Sequence, residues 1–322
     1  MKEIGGYFNL ELSANNNTFP HSGGIWLNSG RCALELILQS IGQIKRVYIP
    51  YYTCDVILEP IDKLHIPYTY YGINEQLEIA EEIILAENEY LLYTNYFGIK
   101  DAYIRKLNQN CQSKLIVDNA QALYAEPLKG TNTLYSPRKF VGIPDGGIAY
   151  VTNSISTTDL EKDQSYDRCS HLLKRIDLGA SEGYVDFKKN SRKLKHQPIR
   201  LMSDLTRTLL SSIDFEKIKY RRKENFSILH KALKDSNRLV IPPIDSFACP
   251  MVYPYYTERA ELREQLVSNN IFTATYWPNV FEWTEKSSLE YELTDKIIAI
   301  PIDQRYGEEE MKSIIRLINN HI

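Results

Sequence analysis

The chain predicts an α/β fold: a large domain built on a mostly parallel sheet flanked by helices, followed by a small C-terminal α/β domain. Three observations carry this expectation. Short apolar runs of β type alternate with helical patterns through the first half, the signature of a parallel sheet with crossover helices. The 322 residues exceed what one hydrophobic core usually supports, since single cores stop growing at roughly 250–300 residues. The pattern also changes character near residue 220, which places the two domains at 1–220 and 221–322.

Each element has a local cause. In "GRCALELILQSIG", Ala33, Leu34, Ile37, Leu38 and Ile41 fall at helical spacing and Gly42 ends the run. "RVYIP" (46–50) is a short strand. "CDVILEPIDKL" reads as a helix kinked or started at Pro60. "YLLYTNYFG" (90–98) is a strand running into a turn, and "DAYIRKLNQN" follows as a helix with Asp101 as its N-cap. "KLIVDNA" (114–120) is a strand, apolar until Asp118, and "GGIAYVTN" (146–153) is another. Residues 155–200 read as polar and irregular. From "MSDLTRTLLSSI" through "YRRKENFSILHKAL" the pattern is helical. In the C-terminal unit "CPMVYPYY" and "IIAIPI" read as strands, and "ERAELREQLVSNN" and "EEEMKSIIRLINN" as helices.

Composition excludes several classes. The chain is 43% hydrophobic and 25% charged, an ordinary globular balance. Its formal net charge is −3, and the basic tract from Lys188 to Arg200 reads as a solvated face, so no nucleic-acid partner is expected. Five cysteines, an odd number with no C-x-x-C pair, predict free thiols and a reducing compartment. The opening stretch "MKEIGGYFNLELSANNN" lacks the apolar core of a signal peptide, and no run is long enough to span a bilayer. A cytoplasmic protein with no membrane partner is expected. None of the six histidines stands in metal-ligand spacing, so no metal is expected. Lys100 and Lys114 read as solvated. Tyrosine is abundant and paired at Tyr51-Tyr52, Tyr70-Tyr71 and Tyr255-Tyr256, which suits interfaces or polar pockets.

In parallel sheets the ligand lies at the carboxyl ends of the strands. The informative stretches are then Pro50 to Cys54, Asn95 to Gly98, and Asp118 to Gln121. Asp118 either caps its own turn or faces a cationic ring nitrogen, the partner a pyridoxal ring requires. Lys139 precedes "GIPDGG", where it is either a basic surface turn or an amine made reactive by desolvation and neighbouring positive charge, to which Arg138 adds. Gly30 stands at a helix start, where free N–H groups favour an anion, and Arg31 brings a fork of donors. Asn28 or Ser29 also explains that start as a plain capped helix. The Ser136 hydroxyl, three residues before Lys139, is a further phosphate donor.

Four segments in order, "SGRCAL" (29–34), "PYYTC" (50–54), "DNAQAL" (118–123) and "KFVGIPDGG" (139–147), resemble the DegT/StrS-type sugar aminotransferase family, pyridoxal-phosphate (PLP) enzymes of fold type I. The resemblance implies an aminotransferase using pyridoxal 5′-phosphate. Such an enzyme passes an amino group from a donor such as glutamate to a keto group of a nucleotide-linked sugar. The same cofactor also supports elimination or dehydration, and a non-catalytic ligand-binding relative is a third reading. Carried over, Lys139 would hold the cofactor as a Schiff base and shuttle a proton. Asp118 would pair with the ring nitrogen, Gln121 would bond the ring's phenolic oxygen or help hold the cofactor, and Gly30, Arg31, Cys32 and Ser136 would contact the phosphate. A homodimer is implied. Three departures stand out. Arg31 and Cys32 replace small residues. Cys54 occupies the place of a stacking aromatic, leaving Tyr52, Tyr96 or Phe97 for that role. The family's Asn-x-Arg-Met segment survives only as Arg200, Met202 and Ser203 of "PIRLMSD". The "YWP" segment (276–278) falls where relatives place a substrate-facing loop, or packs Trp277 into the small domain.

Overall fold

A computed structural model describes residues 6–14 and 19–319. Part of the opening stretch read for a leader therefore lies outside the described residues. The order of elements is β1 (Ile25–Leu27), α1 (Gly30–Ile41), β2 (Arg46–Pro50), α2 (Leu58–Lys63), β3 (Tyr68–Tyr71), β4 (Glu89–Thr94), α3 (Asp101–Cys111), β5 (Leu115–Asn119), β6 (Asn132–Tyr135) and β7 (Gly147–Tyr150). The chain continues through α4 (Ser170–Asp177), α5 (Ala180–Lys193), α6 (Asp204–Ser211), α7 (Phe215–Leu233), β8 (Val252–Tyr256), α8 (Leu262–Ser268), α9 (Val280–Trp283), α10 (Leu289–Lys296), β9 (Ile297–Pro301) and α11 (Glu308–Asn319).

The large sheet has seven strands in the order β1-β7-β6-β5-β4-β2-β3. The pairs among β2 to β6 are parallel, and β7 alone runs against its neighbours. Both faces are covered, which explains the continuous apolar strands. In β5, Ile116 faces the core that α1 fills, while Leu115 and Val117 face the opposite core. Helix α1 buries Ala33, Leu34, Ile37 and Leu38, the residues its spacing predicts. Strands β8 and β9 form an antiparallel pair from Val252↔Pro301 to Tyr256↔Ile297. The core behind β5 runs on through Phe226, Tyr253 and Ile300, so the two halves share it. Residue 220, the expected boundary, lies inside α7.

Several expectations are corrected. The 155–200 stretch is not irregular: α4 and α5 form a helical hairpin. In α4, Leu172, Leu173 and Ile176 do fall on one face, but the helix has only eight residues, too few for its periodicity to announce it. Ile176 is 81% exposed and Val185 74%. The helices meet at Gly183, where a Cβ would stand 2.9 Å from the His171 carbonyl oxygen. Asp101 is the first helical residue of α3 rather than its cap. Its carboxylate instead accepts the Asn95 amide (2.7 Å) and the Ala248 N–H (2.7 Å). Lys100 is buried, donating to the Gln76 carbonyl and pairing with Glu78, each at 2.8 Å. Lys114 is half-buried and donates to the carbonyls of Leu85 and Ala86. The four-residue strands β3 and β6 are too short to announce themselves by alternation. Among the described residues no helix is long and apolar enough to cross a membrane, and the five cysteines are unpaired.

Candidate active site

The parallel strands β2, β4, β5 and β6 end at Pro50, Thr94, Asn119 and Tyr135, and the turns that follow them gather at one edge of the sheet. Asp118 is buried at the end of β5. Its backbone carbonyl accepts the Asn95 N–H at 2.9 Å, and its carboxylate accepts the Ala120 N–H at 2.8 Å. Burial raises its pKa; the Lys139 ammonium and the Ala120 N–H pull it back down. The acid and the amine thus act on one another across the same edge. Lys139 also offsets the burial that raises the pKa of the Cys54 thiol.

Lys139 closes a 3₁₀ turn, Pro137–Lys139, that begins directly after β6. Its N–H donates to the Ser136 carbonyl at 3.1 Å. The next residue is held from far along the chain. The Phe140 carbonyl accepts from the Arg222 guanidinium (3.3 Å) and the Gln304 amide (2.9 Å), and Arg222 lies 4.7 Å from the centre of the Phe140 ring. The Lys139 side chain itself is exposed. The desolvation expected at this lysine is therefore not supplied by a single chain, because the turn carries it past the rim of the sheet. It is the acid that the fold buries.

Gln121 is fully buried. Its oxygen accepts the N–H of Phe97 (2.7 Å), a residue held at φ +57°. Its Nε2 is buried with no hydrogen-bond partner among the described residues. A buried donor without an acceptor is costly, so it points to an acceptor outside the chain. That orphan fits a cofactor's ring oxygen.

The other end of the site is the start of α1. Ser29 caps the helix by accepting the Cys32 N–H at 3.2 Å. A Cβ on Gly30 would fill the gap to Ser136, at 3.7 Å from its Cβ and 3.9 Å from its hydroxyl. The Gly146-Gly147 pair packs on the same turn. Gly146 sits at φ +137° and donates to the Asn28 carbonyl at 2.7 Å. A Cβ on Gly147 would overlap the Ser29 carbonyl and come within 2.8 Å of the Gly30 nitrogen. The two glycines therefore let β7 enter the sheet against the head of α1. This cradle of helix N-terminus and hydroxyl suits a phosphate.

Two of the expected phosphate contacts are otherwise engaged. The Cys32 N–H belongs to the cap, and its buried thiol donates to the Pro198 carbonyl at 3.6 Å. Arg31 is ion-paired with Glu59 of α2 at 3.0 Å. The three stacking candidates, Tyr52, Tyr96 and Phe97, are all fully buried. Tyr52 and Tyr96 lie 5.5 Å apart, and Trp277 meets Tyr52 edge-on at 5.1 Å. The "YWP" segment thus packs on the strand-end turn of the large sheet. The adjoining Asn279 fastens it there, donating to the Thr53 carbonyl at 2.9 Å and accepting the Asp55 N–H at 3.3 Å. Of the "PIRLMSD" residues, Met202 is buried and Ser203 caps α6, donating also to Asp145.

Sequence reasoning missed Arg222, Gln304 and Asn279, whose partners lie 82, 164 and 226 residues away. Arg138 carried a signal, its place beside Lys139. Two cavities lie elsewhere. One of about 330 Å³ is lined by residues such as Asp101, Asn119 and Lys219. Another of about 960 Å³ is lined by residues such as Tyr184, Phe272 and Arg305.

No family model matches the chain, and no curated protein matches it. Solved structures do. DesV of S. venezuelae, in complex with a ketimine intermediate, is 16% identical with a TM-score of 0.66, over 92% of this chain and 84% of that one. NtdA of Bacillus subtilis with bound cofactor PMP is 14% identical with a TM-score of 0.61, over 92% and 73%. A DegT/DnrJ/EryC1/StrS aminotransferase from Brucella abortus is 14% identical with a TM-score of 0.59, over 92% and 85%. The likeness establishes the fold, which this chain shares with these three structures.

Proposed function

We propose that the protein is a pyridoxal 5′-phosphate-dependent aminotransferase. It takes an amino group from a donor such as glutamate and passes it to a keto group of a nucleotide-linked sugar. The observation that carries this reading is the opposition of Asp118 and Lys139 at the carboxyl edge of the sheet, where the ammonium counters the burial of the carboxylate. When bound, the cofactor supplies an electron sink for charge that develops at the donor's α-carbon.

The chain's own groups then have distinct tasks. Lys139 holds the cofactor through Nζ and moves a proton at the α-carbon. Asp118 keeps a proton on the ring nitrogen. Gln121 donates from the amide nitrogen that has no partner within the chain. Gly30 and Ser136 flank the phosphate across the gap at the head of α1. Arg222 and Gln304 position the lysine by holding the Phe140 carbonyl. The fold shared with a PMP-bound protein and with an aminotransferase supports the cofactor and the reaction. The sugar acceptor rests on the resemblance of the four motifs. A homodimer is part of this reading, supported by the exposed apolar residues of the α4–α5 hairpin, including Leu173 and Ile176.

The test is spectroscopic. Purified protein given pyridoxal phosphate is expected to develop a visible absorbance band that borohydride abolishes and that Lys139→Ala lacks. Glutamate is then expected to convert the band to that of the amine form. A borohydride-sensitive band that no amino donor converts would end the aminotransferase reading.

A further inference from the structure

We infer that Arg138, rather than Arg31, is the side-chain cation that neutralises the cofactor's phosphate at the head of α1. This rests on the cofactor reading above and assigns a residue that neither the motifs nor the fold likeness does.

The argument is a charge balance. Three arginines and three acids surround this corner. Arg31 is paired with Glu59 at 3.0 Å. Arg168 is paired with Asp163 at 2.5 Å, both buried. Arg138 has no ion pair or hydrogen bond among the described residues; its Nε, like that of Arg31, is sealed from solvent without a hydrogen-bond partner, but Arg138 lacks the carboxylate that Arg31 has. The remaining acid is Asp145, which does not serve. Its carboxylate accepts the Ser203 N–H and hydroxyl, each at 3.0 Å, and the Thr206 hydroxyl. Burial pushes its pKa up to about 6 despite those bonds, and its oxygens are taken by Ser203 and Thr206 rather than by Arg138.

Arg138 is half-buried with its Nε sealed from solvent, and burial holds its pKa down at about 10. Asp145 favours its charge; Arg168 and Arg31 oppose it. The nearby His171 is lowered first by its own burial and then by Arg138. A half-buried cation with no ion pair and two arginines nearby gains from an anion. The anion's place is defined by the same turn. Ser136 stands two residues before Arg138 and faces Gly30, the first residue of a twelve-residue helix. The helix N-terminus attracts a dianion, and an arginine fork supplies parallel donors to it. Arg31 is the second residue of that helix but is turned to Glu59 of α2.

The test compares ligands with and without a phosphate. Full-length protein is titrated with pyridoxal 5′-phosphate and with pyridoxal, reading the borohydride-sensitive band. Arg138→Gln is expected to weaken pyridoxal phosphate by about 30-fold or more and to leave pyridoxal unchanged. Arg31→Gln keeps the phosphate preference, and Arg138→Lys retains part of it. A second readout needs no cofactor: inorganic phosphate is expected to raise the melting temperature of the wild type but not of Arg138→Gln. The cofactor-free Arg138→Gln protein itself is expected to melt no lower than the wild type, because an unpaired half-buried charge has been removed. If Arg138→Gln keeps the wild-type preference, or Arg31→Gln loses it instead, the assignment is overturned. If wild type forms no band with either ligand, the cofactor reading fails, and the phosphate melt alone decides whether Arg138 holds an anion.

Discussion

The carboxyl edge of the large sheet and the α4–α5 hairpin are opposite solutions in burial. At the edge, apolar strands carry a few polar groups into the interior: Asp118, Gln121 and Asp145 are all buried. Several buried polar atoms there lack a hydrogen-bond partner, among them Gln121 Nε2, Arg138 Nε, Arg31 Nε and the hydroxyls of Tyr52 and Tyr96. In the hairpin the apolar side chains are outside. Leu173, Leu178 and Tyr184 are more than half exposed, and the buried residues are His171, Gly183 and Asn190. The edge reports a ligand through unsatisfied polarity. The hairpin leaves hydrophobicity unsatisfied, the feature on which the proposed dimer rests.

This contrast can be broken at either end. The largest effect is expected from Lys139→Ala, which should lower amino transfer by about 10²–10⁴-fold without moving the melting temperature of this exposed site. Next comes Asp118→Asn, which keeps the side chain's size and removes its charge. It should lower kcat by about 10²–10³-fold, and steady-state kinetics with saturating cofactor read it. Retention of full rate would break the link between the buried acid and the chemistry.

The third prediction concerns stability. The Asp145 pKa is raised by burial from 3.8 to about 6, with the Ser203 bonds opposing. A carboxyl raised on folding favours the folded state while protonated, so this stabilisation is complete below pH 4 and lost as pH rises through 6. The shift corresponds to about 3 kcal/mol between pH 4 and pH 7. Urea unfolding at the two pH values should show the wild type losing that amount of unfolding free energy from pH 4 to pH 7 relative to Asp145→Asn, the variant lacking this dependence. The smallest change is expected at the hairpin. Replacing Leu173 and Ile176 with serine should shift unfolding by only about 0.5 kcal/mol each, while a sedimentation profile moves from dimer to monomer. A large loss of stability with no change in mass would mean that the hairpin's apolar side chains serve the monomer.

Much of the edge is legible in the residues. A strand that is apolar up to Asp118, and a Gly-Gly pair behind Lys139, are local patterns with local causes, and the structure places them where those patterns predict. The hairpin was not legible. Leu172, Leu173 and Ile176 share one face of α4, but that helix has only eight residues, too short a window for periodicity to decide. Lys100 failed for a related reason: its partners Gln76 and Glu78 lie across a strand and a loop.

By itself the sequence determined the alternating strands and helices, the burial of α1, and the order of the residues that line the strand ends. These depend on spacing within a few residues, which chain geometry converts directly into faces. Only the tertiary structure decided which charge is free. Arg31 is neutralised by Glu59 and Arg168 by Asp163, and Phe140 is clasped by Arg222 and Gln304. Pairing is a property of what the fold brings together in a poorly hydrated interior. There an ion's stability is set by neighbours dozens or hundreds of residues away.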